Sequence, residues 1–592
     1  MKKRWKVEPP DCKLQDLLAQ EFKVSPLTAQ LLINRGLCEL DRASCFLSPS
    51  LQGLHNPFTM KDMDKAVERV IRAIKDGEGV AIYGDYDADG ATATALLYLF
   101  LKDVGADVTY YIPDRLKEGY SLNSPALARL AHNGVKVVIT TDCGISNYEE
   151  VVSANGLGLD IVITDHHEPP SKLPPAYAIL NPKQPHCLFP FKELAGVGVA
   201  FNLAIALRAR LREDNKFTRG VPNLKGYLDL VTLGTVADMV PLLDENRVFV
   251  KHGLPLLTKG HRPGIRALKE VSGLSREIKT GQVGFQLAPR INAAGRLTRA
   301  DSVVMLLTTD DDREAMELAR ILDRENSRRQ RIEGQILQEA IEEIDKTGIE
   351  DKKGIILARE GWHPGIIGIV ASRLVELYYR PTILIALQGE TGKGSARGIK
   401  AFHILDGLRE CSALLERYGG HKSAAGLTIS RDNISAFRDA FSSLIAGRVK
   451  DEDLTPEISL DAFIHLNEMD EGMVREMDGL APFGPANPEP LLGVKGAQIV
   501  HSEVVGSGHL RLVVKQIQDS RLKIPGSRPF AAIAYGLGEM HRSIVCSPGS
   551  GVSCYDLAFT PYMDEWNGRK ELRLKVREIE VLETKNYTQR HK

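Results

Sequence analysis

One short stretch, Val80-Ala-Ile-Tyr-Gly-Asp-Tyr-Asp-Ala-Asp-Gly90, constrains this chain more than any other. Its first five residues are mostly apolar and predict a buried strand, and Gly90 opens a predicted helix that begins Ala-Thr-Ala-Thr-Ala. Between them, Asp85, Asp87 and Asp89 occupy every second position, which in an extended segment places their side chains on one side. Three carboxylates this close repel one another unless a cation neutralises them, and hard oxygen ligands suit Mg²⁺ or Mn²⁺. The alternative is a solvated acidic turn between a strand and a helix.

The region from 80 to about 182 alternates strands with helices, which is typical of a parallel, doubly wound sheet. Sheets of this kind place their sites at the carboxyl ends of the strands. The pattern predicts strands at 80–84, 107–112, 135–141, 160–164 and 176–180, and helices at 90–103, 121–132 and 146–155. A further amphipathic helix is predicted over 60–76.

Acidic and imidazole side chains fall repeatedly at these strand ends. Asp142 follows strand 135–141, the run Asp165-His166-His167 follows strand 160–164, and Asp238 follows a predicted helix at 225–235. Taken singly, such an aspartate is more often a helix N-cap, and a histidine pair in a loop is often structural or merely exposed. Capping does not explain all of these groups together, so we expect one combined metal site.

The ligand set predicts a two-metal hydrolase centre. Two divalent ions activate a water and stabilise the attacking and leaving oxygens of an in-line displacement. Asp142 is the expected bridging carboxylate because its strand should be central in the sheet, and His166 is the expected imidazole ligand. His167 points elsewhere and is expected to reach a substrate phosphate, while Asp165 orients an imidazole.

Length and composition narrow the class of protein. A chain of 592 residues is too long for one core, so three or more domains are expected, and 43% hydrophobic with 26% charged residues is ordinary for a soluble globular protein. No run approaches the roughly 18 to 20 apolar residues of a membrane span, and the N-terminus lacks the apolar core of a secretory signal. Eight scattered cysteines without CxxC spacing indicate reduced thiols in a cytoplasm, without zinc or disulfides. With a net charge of −1, any site for a polyanion must be a local basic patch.

Several motifs together resemble the DHH phosphoesterase superfamily. Within it, the chain is similar to the branch of bacterial exonucleases specific for single-stranded DNA. The small-molecule branch carries a histidine where this chain has Tyr83, and Asp85 is an additional acid, either a ligand or a group that supports one. The motifs are Gly84-Asp-Tyr-Asp-Ala-Asp-Gly90, Asp142-Cys-Gly144, Asp165-His-His167, Ala237-Asp-Met-Val-Pro-Leu242 and Arg290-Ile-Asn-Ala-Ala-Gly-Arg296.

The resemblance implies a metal-dependent exonuclease that degrades single-stranded DNA from 5′ to 3′ in recombination and repair. Its implied partners are a single-strand binding protein and a helicase, and we expect a monomer without membrane contact. His167 and Arg296 would stabilise charge on the phosphoryl oxygens, with Arg290 as a second phosphate contact. A structural ion pair is the alternative role for these arginines. Two Mn²⁺ or Mg²⁺ ions would be held by Asp87, Asp89, Asp142, His166 and Asp238, with Asp85 as a further candidate.

The expected architecture is a multidomain α/β protein. It comprises an N-terminal helical cap (1–55), a doubly wound parallel-sheet DHH domain (56–311), a long connecting helix (312–349), a second α/β domain resembling DHHA1 (350–446) and a C-terminal β-barrel of the OB-fold (457–585). The barrel would bind single strands through a basic groove and a thin supply of aromatic side chains. A channel between the two catalytic domains would be too narrow for duplex.

Two further features suggest contacts with a polyanion. The connecting helix carries an arginine stripe, which either lines a DNA track or is a solvated face paired with nearby acids. Glycine-rich stretches at 392–398 and 419–426 are expected to cradle a phosphate through backbone N–H groups, or else to be turns without a ligand. The stripe consists of Arg320, Arg324, Arg328 and Arg331, and the residues carried over by motif to the nucleotide end are Ser395, Arg397, His421 and Arg115.

Two other functions fit parts of the chain. The first is a phosphodiesterase for short oligonucleotides or cyclic dinucleotides, but such a substrate does not need a strand-binding barrel. The second is a non-catalytic single-strand DNA-binding protein on a decayed copy of the fold, but decay should remove ligands, and every acid and histidine of the set is present.

Overall fold

The computed structural model describes residues 3–114, 118–119, 121–213, 221–297, 301–349, 352–516, 526–545, 554–566 and 569–582. The chain forms two compact units. The first contains residues 54–240 and 248–456, and the second contains residues 4–53, 241–247 and 457–592. Within the described ranges, no helix combines the length and the apolar character that a membrane crossing requires.

The helices and strands are numbered here in chain order. The strands are β1 (Arg4–Val7), β2 (Gly79–Gly84), β3 (Val108–Tyr111), β4 (Val135–Thr141), β5 (Asp160–Thr164), β6 (Ala178–Leu180), β7 (Ile355–Glu360), β8 (Thr382–Gln388), β9 (Thr391–Arg397), β10 (Arg417–Gly420), β11 (Ala424–Ser430), β12 (Glu457–Leu460), β13 (Ala462–Phe463), β14 (Leu492–Val505), β15 (His509–Gln516), β16 (Phe530–Ala534), β17 (Cys554–Trp566) and β18 (Arg569–Leu582).

The helices include one π-helical turn, Val283–Leu287, which leads directly into a longer helix. The α-helices are α1 (Cys12–Phe22), α2 (Pro26–Asn34), α3 (Leu40–Leu47), α4 (Met63–Asp76), α5 (Ala88–Asp103), α6 (Ser124–His132), α7 (Tyr148–Gly156), α8 (Gly196–Glu213), α9 (Leu228–Ala237), α10 (Asp244–Lys259), α11 (Pro263–Val271), α12 (Thr280–Gln282), α13 (Ala288–Leu297), α14 (Asp301–Thr308), α15 (Asp312–Thr347), α16 (Ile367–Tyr378), α17 (Ile404–Glu410), α18 (Ile434–Arg448), α19 (Glu471–Gly479) and α20 (Met540–Val545).

The first unit is built on a parallel five-stranded sheet in the order β3-β2-β4-β5-β6. Its central strands bury both faces, as in Ile82, Ile139 and Ile163, each with no exposed surface. Burial on both faces explains why these strands are nearly continuous apolar runs in the sequence. The predicted strands and the parallel, doubly wound class are confirmed, and β4 lies at the centre as expected.

The same unit contains a second five-stranded sheet, in the order β10-β11-β9-β8-β7. The glycine-rich stretch 392–398, expected to be a phosphate-cradling loop, lies almost wholly in strand β9. Because β9 pairs antiparallel with both β8 and β11, its backbone N–H groups are used in the two ladders. The stretch 419–426 covers the end of β10, the turn that follows it and the start of β11. Backbone cradling is therefore contradicted for β9, where only side chains remain available for a ligand.

The helix α15 spans 36 residues and separates the two sheets in the sequence of the first unit. Asp311 caps its N-terminus by accepting hydrogen bonds from the backbone of Arg313 and Glu314. Its apolar positions, among them Leu318, Leu322 and Ile336, are buried at helical spacing. The predicted long connecting helix is confirmed.

The second unit contains a closed five-stranded barrel, in which β14, β15, β16, β18 and β17 pair in turn and β17 pairs back to β14. Residues 4–53 also belong to this unit, whereas the sequence suggested a cap on the domain that follows. Strand β1 pairs in parallel with β12, and Leu18, Leu31 and Phe46 share one apolar core with barrel residues such as Leu512. Amphipathic helices show which face is buried but not which partner covers it, which explains the difference.

Candidate metal centre

Three parallel strands deliver acidic or imidazole groups to one edge of the first sheet. Asp85 follows β2, Asp142 follows β4, and the run from Asp165 to His167 follows β5. The sheet pairing continues one residue past each strand, because the N–H of Asp85 donates to Thr141 O and the N–H of Asp142 donates to Thr164 O. Asp142 has a φ of 62°, in the left-handed region that few non-glycine residues adopt. Backbone strain of this kind clusters at functional sites.

The aspartate triplet does not form the extended alternation that the sequence suggested. Asp87 is the N-cap of α5, and its Oδ1 accepts hydrogen bonds from the N–H groups of Asp89 and Gly90 at 2.9 and 3.0 Å. Asp89 lies in the first turn of that helix. A cap turns the chain sharply, so the three carboxylates converge through the strand-to-helix turn and not through a pleat.

Possible ligand atoms gather in three overlapping groups, each with its atoms within 4.8 Å of one another. The groups share members: Asp142 belongs to the first and third, and His166 belongs to the second and third. His166 Nε2 lies 3.1 Å from Asp142 Oδ1 and 3.5 Å from Asp238 Oδ2. The groups are Asp85 with Asp87 and Asp142, Asp89 with His166 and Asp238, and Asp142 with His166 and His167.

The carboxylates of the centre repel one another in a buried setting. Burial, followed by the charge of Asp87, raises the pKa of Asp89 to about 7. Burial and the charges of Asp89 and Asp87 raise the pKa of Asp238 to about 9 and that of Asp142 well above its usual range. Such charges are costly to hold together without a cation, so the arrangement favours binding one.

The two neighbouring histidines have opposite electrostatic settings. Burial, assisted by the charge of His167, lowers the pKa of His166 to about 4, which keeps its ring neutral. Burial acts in the same direction on His167, but the hydrogen bond between its Nδ1 and Asp165 Oδ1, 2.8 Å long, prevails and raises the pKa of His167 to about 9. His166 therefore suits a metal ligand, and His167 suits a cationic donor.

Asp165 is held by its neighbours as an orienting group. Its carboxylate accepts hydrogen bonds from the backbone N–H groups of Ile145, His166 and His167. Burial works to raise the pKa of Asp165, but these bonds and the His167 ring hold that pKa below its usual range. Asp165 thus stays ionised and fixes the His167 ring, as a carboxylate behind a functional imidazole does.

Backbone groups that support the acids were not singled out as site residues from the sequence. The N–H groups of Gly196 and Val197, at the start of α8, donate to the Asp89 carboxylate at 2.6 and 2.9 Å. A side chain at Gly196 would meet Asp142 Cβ at 2.7 Å, and one at Gly234 would meet Asp89 Oδ1 at 2.8 Å. The Gly196-Val-Gly198 run carries no ionisable side chain, so nothing in the sequence marks it as part of the site.

Arg397 and Ser395, expected at the nucleotide end, lie together in the second sheet of the first unit. Arg397 Nε donates to Ser372 Oγ at 3.0 Å, and Nη1 donates to Ser395 Oγ at 3.3 Å. Burial lowers the pKa of Arg397, and no carboxylate of the described residues pairs with it. A Cβ at Gly368, in the first turn of α16, would lie 3.0 Å from Arg397 Nη2. The guanidinium therefore adjoins a helix N-terminus, a favourable setting for an anion.

The other expected substrate contacts have different outcomes. Arg290 forms the structural ion pair that was the alternative, with Asp323 at 2.9 Å, and also donates to Gln286 O at 2.7 Å. Its guanidinium is thus engaged within the protein. His421 is exposed in the turn after β10 and belongs to none of the possible ligand groups formed by the described residues. Arg115 and the side chain of Arg296 lie outside the described residues, although the backbone of Arg296 is part of α13.

The arginine stripe on α15 is exposed at all four positions, Arg320, Arg324, Arg328 and Arg331. Arg328 pairs with Glu325 at 3.7 Å. Among the described residues, no ion pair is formed by the other three. The ion-paired alternative therefore applies to Arg328 alone, and the rest of the stripe is a solvated face with available positive charge.

The donor set fits divalent cations that prefer oxygen with one or two imidazole nitrogens. His166 Nε2 is buried without a hydrogen-bond partner in the described part of the chain, although it lies close to two carboxylates. A neutral imidazole nitrogen can bind a transition metal, and the nearby carboxylates can bind the same ion. Mn²⁺ accepts this mixture of nitrogen and oxygen ligands. The residues present thus fit Mn²⁺ or Mg²⁺.

Comparison with known proteins gives matches along nearly all of the chain. The DHH family, N-terminal domain, matches residues 79–235, the DHHA1 domain matches 351–447, and the RecJ OB domain matches 460–578. The matched OB domain coincides with the closed barrel of the second unit, which confirms the expected C-terminal fold.

Several relatives carry the name single-stranded-DNA-specific exonuclease RecJ, among them the following two. The protein from Bacillus subtilis is 38% identical over 587 residues, which cover 98% of this chain and 71% of the relative. The protein from Escherichia coli is 35% identical over 573 residues, which cover 94% of this chain and 96% of the relative.

Solved structures show the same fold. The crystal structure of RecJ from Thermus thermophilus with Mn²⁺ has a TM-score of 0.81 at 30% identity and covers 98% of this chain and 80% of that chain. The same protein with Mg²⁺ gives a TM-score of 0.75. With identity above one third over nearly the whole length and all three domain matches in order, the chain belongs to the RecJ family.

Proposed function

We propose that this protein is a metal-dependent exonuclease that degrades single-stranded DNA from the 5′ end, with a role in recombination and repair. One observation carries the proposal. Three overlapping groups of mostly buried carboxylates and imidazoles, linked through Asp142 and His166, lie at the carboxyl edge of the first sheet. Because relatives over the full length are single-stranded-DNA-specific exonucleases, the same substrate class is proposed here.

The acids and the buried imidazole are the proposed ligands of two Mn²⁺ or Mg²⁺ ions. When bound, the ions would supply activation of a water and neutralisation of charge on the scissile phosphate. The chain contributes the placement, because α5, β4 and β5 fix the acids within a few ångströms before any cation arrives. The proposed ligands are Asp85, Asp87, Asp89, Asp142, His166 and Asp238.

His167 is the proposed donor to a phosphoryl oxygen. Its side chain is about 39% exposed, and Asp165 Oδ1 lies 2.8 Å from Nδ1 and fixes the orientation of the ring. We propose that the exposed ring donates to the substrate through Nε2. With its pKa raised to about 9, the ring is cationic at neutral pH. A fixed cationic donor stabilises charge that develops on phosphoryl oxygens.

Arg397, Ser395 and Ser372 are proposed to hold a terminal phosphate. The observation in support is a largely buried guanidinium without a carboxylate partner, set beside the first turn of α16. Such a clamp would recognise the 5′ end and set polarity, because a strand must present its terminal phosphate there. We further propose that the boundaries of the DHH domain, the connecting helix, the DHHA1 domain and the barrel are those expected from the sequence. We also propose that the protein acts with a single-strand binding protein and a helicase.

Digestion of end-labelled single strands tests the proposal. Strands labelled at either end are incubated with Mn²⁺, with Mg²⁺ or with chelator. We expect cation-dependent release of mononucleotides from the 5′ end and loss of this activity in Asp142→Ala. Asp107→Asn, an exposed acid at the opposite edge of the sheet, serves as the control and should digest normally. Equal activity in chelator, or first release from the 3′ end, would contradict the proposal.

A further inference from the structure

Two large, exposed apolar side chains lie on segments that carry or contact the residues of the candidate metal centre. Phe285, in the π-helical turn Val283–Leu287, is 85% exposed, and Met239, directly after Asp238, is 70% exposed. Of the described residues, Phe285 is the large apolar side chain with the highest exposed fraction. Single exposed apolar residues are common, but Met239 directly follows the candidate ligand Asp238, and Phe285 lies in a turn that contacts α9.

Phe285 and Met239 both adjoin the contact between the π-helical turn and α9. Gly284, the residue before Phe285, approaches Val236 Cγ1, which a Cβ at Gly284 would meet at 4.0 Å. Val236 lies one turn before Met239, whose N–H donates to Val236 O. We call the pair Met239 and Phe285 the apolar rim.

The helix that carries Phe285 also reaches the aspartate triplet. Asn292 Oδ1 accepts a hydrogen bond from the N–H of Ala88 at 2.8 Å, and a Cβ at Gly295 would meet Tyr86 O at 2.6 Å. Phe285 and Asn292 are seven positions apart, which is about 10 Å along a helix axis. Bases stacked in a strand are ~3.4 Å apart, so the rim lies within a few nucleotides of a phosphate at the centre.

Backbone geometry at the rim favours a functional role. Met239 has a φ of 60°, where a side chain with a Cβ is strained, and its exposure yields little packing energy in return. Phe285 lies in a π-helical turn, a rare geometry that is frequent at functional sites. At these exposures, neither side chain belongs to the buried core of the described residues.

An exposed arginine lies on α15, which packs against the helix that follows Phe285. Arg290 donates to the carbonyl of Gln286, the residue after Phe285, and pairs with Asp323 on α15. Asp323 is adjacent in sequence to Arg324, which is exposed and forms no ion pair among the described residues. An exposed aromatic ring and an exposed guanidinium on the neighbouring helix are the two kinds of group that bind single strands, which stack bases on rings and place phosphates near cations.

We propose that the apolar rim is a base-stacking site for the strand whose phosphate lies at the metal centre, with Phe285 as its main contact. The proposal rests on the proposed function, since it takes the same substrate. A base stacked on Phe285 has left its own stack and its partner, so the site selects unpaired strands near the point of cleavage. Phe285 and Met239 are positioning residues for the substrate and take no part in the chemistry.

Equilibrium binding without divalent cations tests this proposal independently of hydrolysis. The probes are a fluorescent single strand of thymidines and a strand of equal length whose nucleotides are abasic. Because a base stacked on an aromatic ring contributes to affinity, Phe285→Ala should weaken binding of the thymidine strand by about tenfold. Binding of the abasic strand should stay within about twofold of that of the parent protein. Phe285→Trp keeps an aromatic ring and should bind the thymidine strand as the parent protein does. Leu157→Ala, an exposed leucine after α7 at the opposite edge of the sheet, is the matched control and should bind as the parent protein does.

Two further measurements separate stacking from a structural effect. Met239→Gly removes the side chain, and glycine adopts a positive φ without strain. The melting temperature should therefore hold or rise while binding of the thymidine strand weakens. In digestion with Mn²⁺, Phe285→Ala should raise KM by about tenfold and leave kcat nearly unchanged. The proposal is overturned if Phe285→Ala binds both strands normally or weakens both equally. It is also overturned if the variant changes only self-association in sedimentation, which would assign the rim to a second copy of the chain.

Discussion

Asp142 is the residue at which the ligand groups of the centre meet, and its position carries a cost. It is almost fully buried, and burial together with Asp89 and Asp87 raises its pKa in the metal-free protein. Replacing a like-charged buried carboxylate with a neutral amide of the same shape removes repulsion, and functional sites often trade stability for activity in this way.

Asp142→Asn should therefore abolish function and spare the fold. Hydrolysis is expected to fall by about 1000-fold, because the shared ligand is lost. The metal-free melting temperature at pH 8 should stay the same or rise, as measured by calorimetry. Asp107→Asn is the control for the loss of one surface charge. A large drop in the melting temperature of Asp142→Asn would show that the carboxylate is needed for folding and that repulsion is not dominant.

Cation binding should depend steeply on pH. The pKa of Asp89 is raised to about 7 and that of Asp238 to about 9, so both hold protons that a cation must displace. Affinity for Mn²⁺ should rise between pH 6 and pH 9, with protons released on binding. Titration calorimetry in two buffers of different ionisation enthalpy counts those protons.

The same raised pKa values fix the sign of the stability change. Between the unfolded and folded pKa values the native state binds more protons than the unfolded chain, so the metal-free protein should lose stability as pH rises toward 9. Added Mn²⁺ should restore that stability, and the gain should be largest near pH 9. Affinity that does not change across this range would contradict the electrostatic account of the centre.

At the scale of elements, the start of α8 is the least obvious support of the site. Gly196→Ala would bring a Cβ within 2.7 Å of Asp142 and disturb the N–H that holds Asp89. Overpacking of this kind costs about 1–3 kcal/mol, so the melting temperature and the Mn²⁺ affinity should fall together. Gly156→Ala, at the end of α7 with no atom near its would-be Cβ, is the matched control. Normal Mn²⁺ affinity in Gly196→Ala would show that α8 does not position the acids.

How far the sequence predicts these elements depends on where each signal comes from. Strands β2, β4 and β5 are continuous apolar runs, and their ends place Asp85, Asp142 and Asp165 at one edge, so fold class and ligand candidates follow from local pattern. Strand β9 was missed because glycines weaken the strand signal, and only pairing on both sides reveals it. The alternation of aspartates predicted an extended segment that included Asp89. The helix cap at Asp87 was missed because it depends on backbone dihedral angles, which a residue pattern does not show. The N–H groups of α8 come from residues more than 100 positions away, which no local pattern shows.

On the scale of the whole molecule, the two ends of the chain form one unit. Helices α1–α3 share an apolar core with the barrel, so the N-terminal segment stabilises a domain encoded more than 400 residues later. Leu18 is fully buried in that core, whereas its neighbour Leu17 is 50% exposed.

Leu18→Ala should therefore destabilise the barrel unit by about 2–5 kcal/mol, while Leu17→Ala should change its stability by about 0.5 kcal/mol or less. Limited proteolysis followed by mass spectrometry reports which unit opens. Cleavage should appear within residues 457–592 for Leu18→Ala, with Mn²⁺ binding by the first unit retained. If both variants behave alike, or the first unit opens instead, the assignment of residues 4–53 to the barrel unit is wrong.

The central claim is that carboxylates and an imidazole from separate strands hold divalent cations at one edge of the first sheet. Anomalous diffraction from crystals grown with Mn²⁺ measures this directly. The account predicts two anomalous peaks in contact with Asp142, one toward Asp85 and Asp87 and the other toward Asp89, His166 and Asp238. No peak among these residues, with their side chains unmoved from the positions described here, would contradict it.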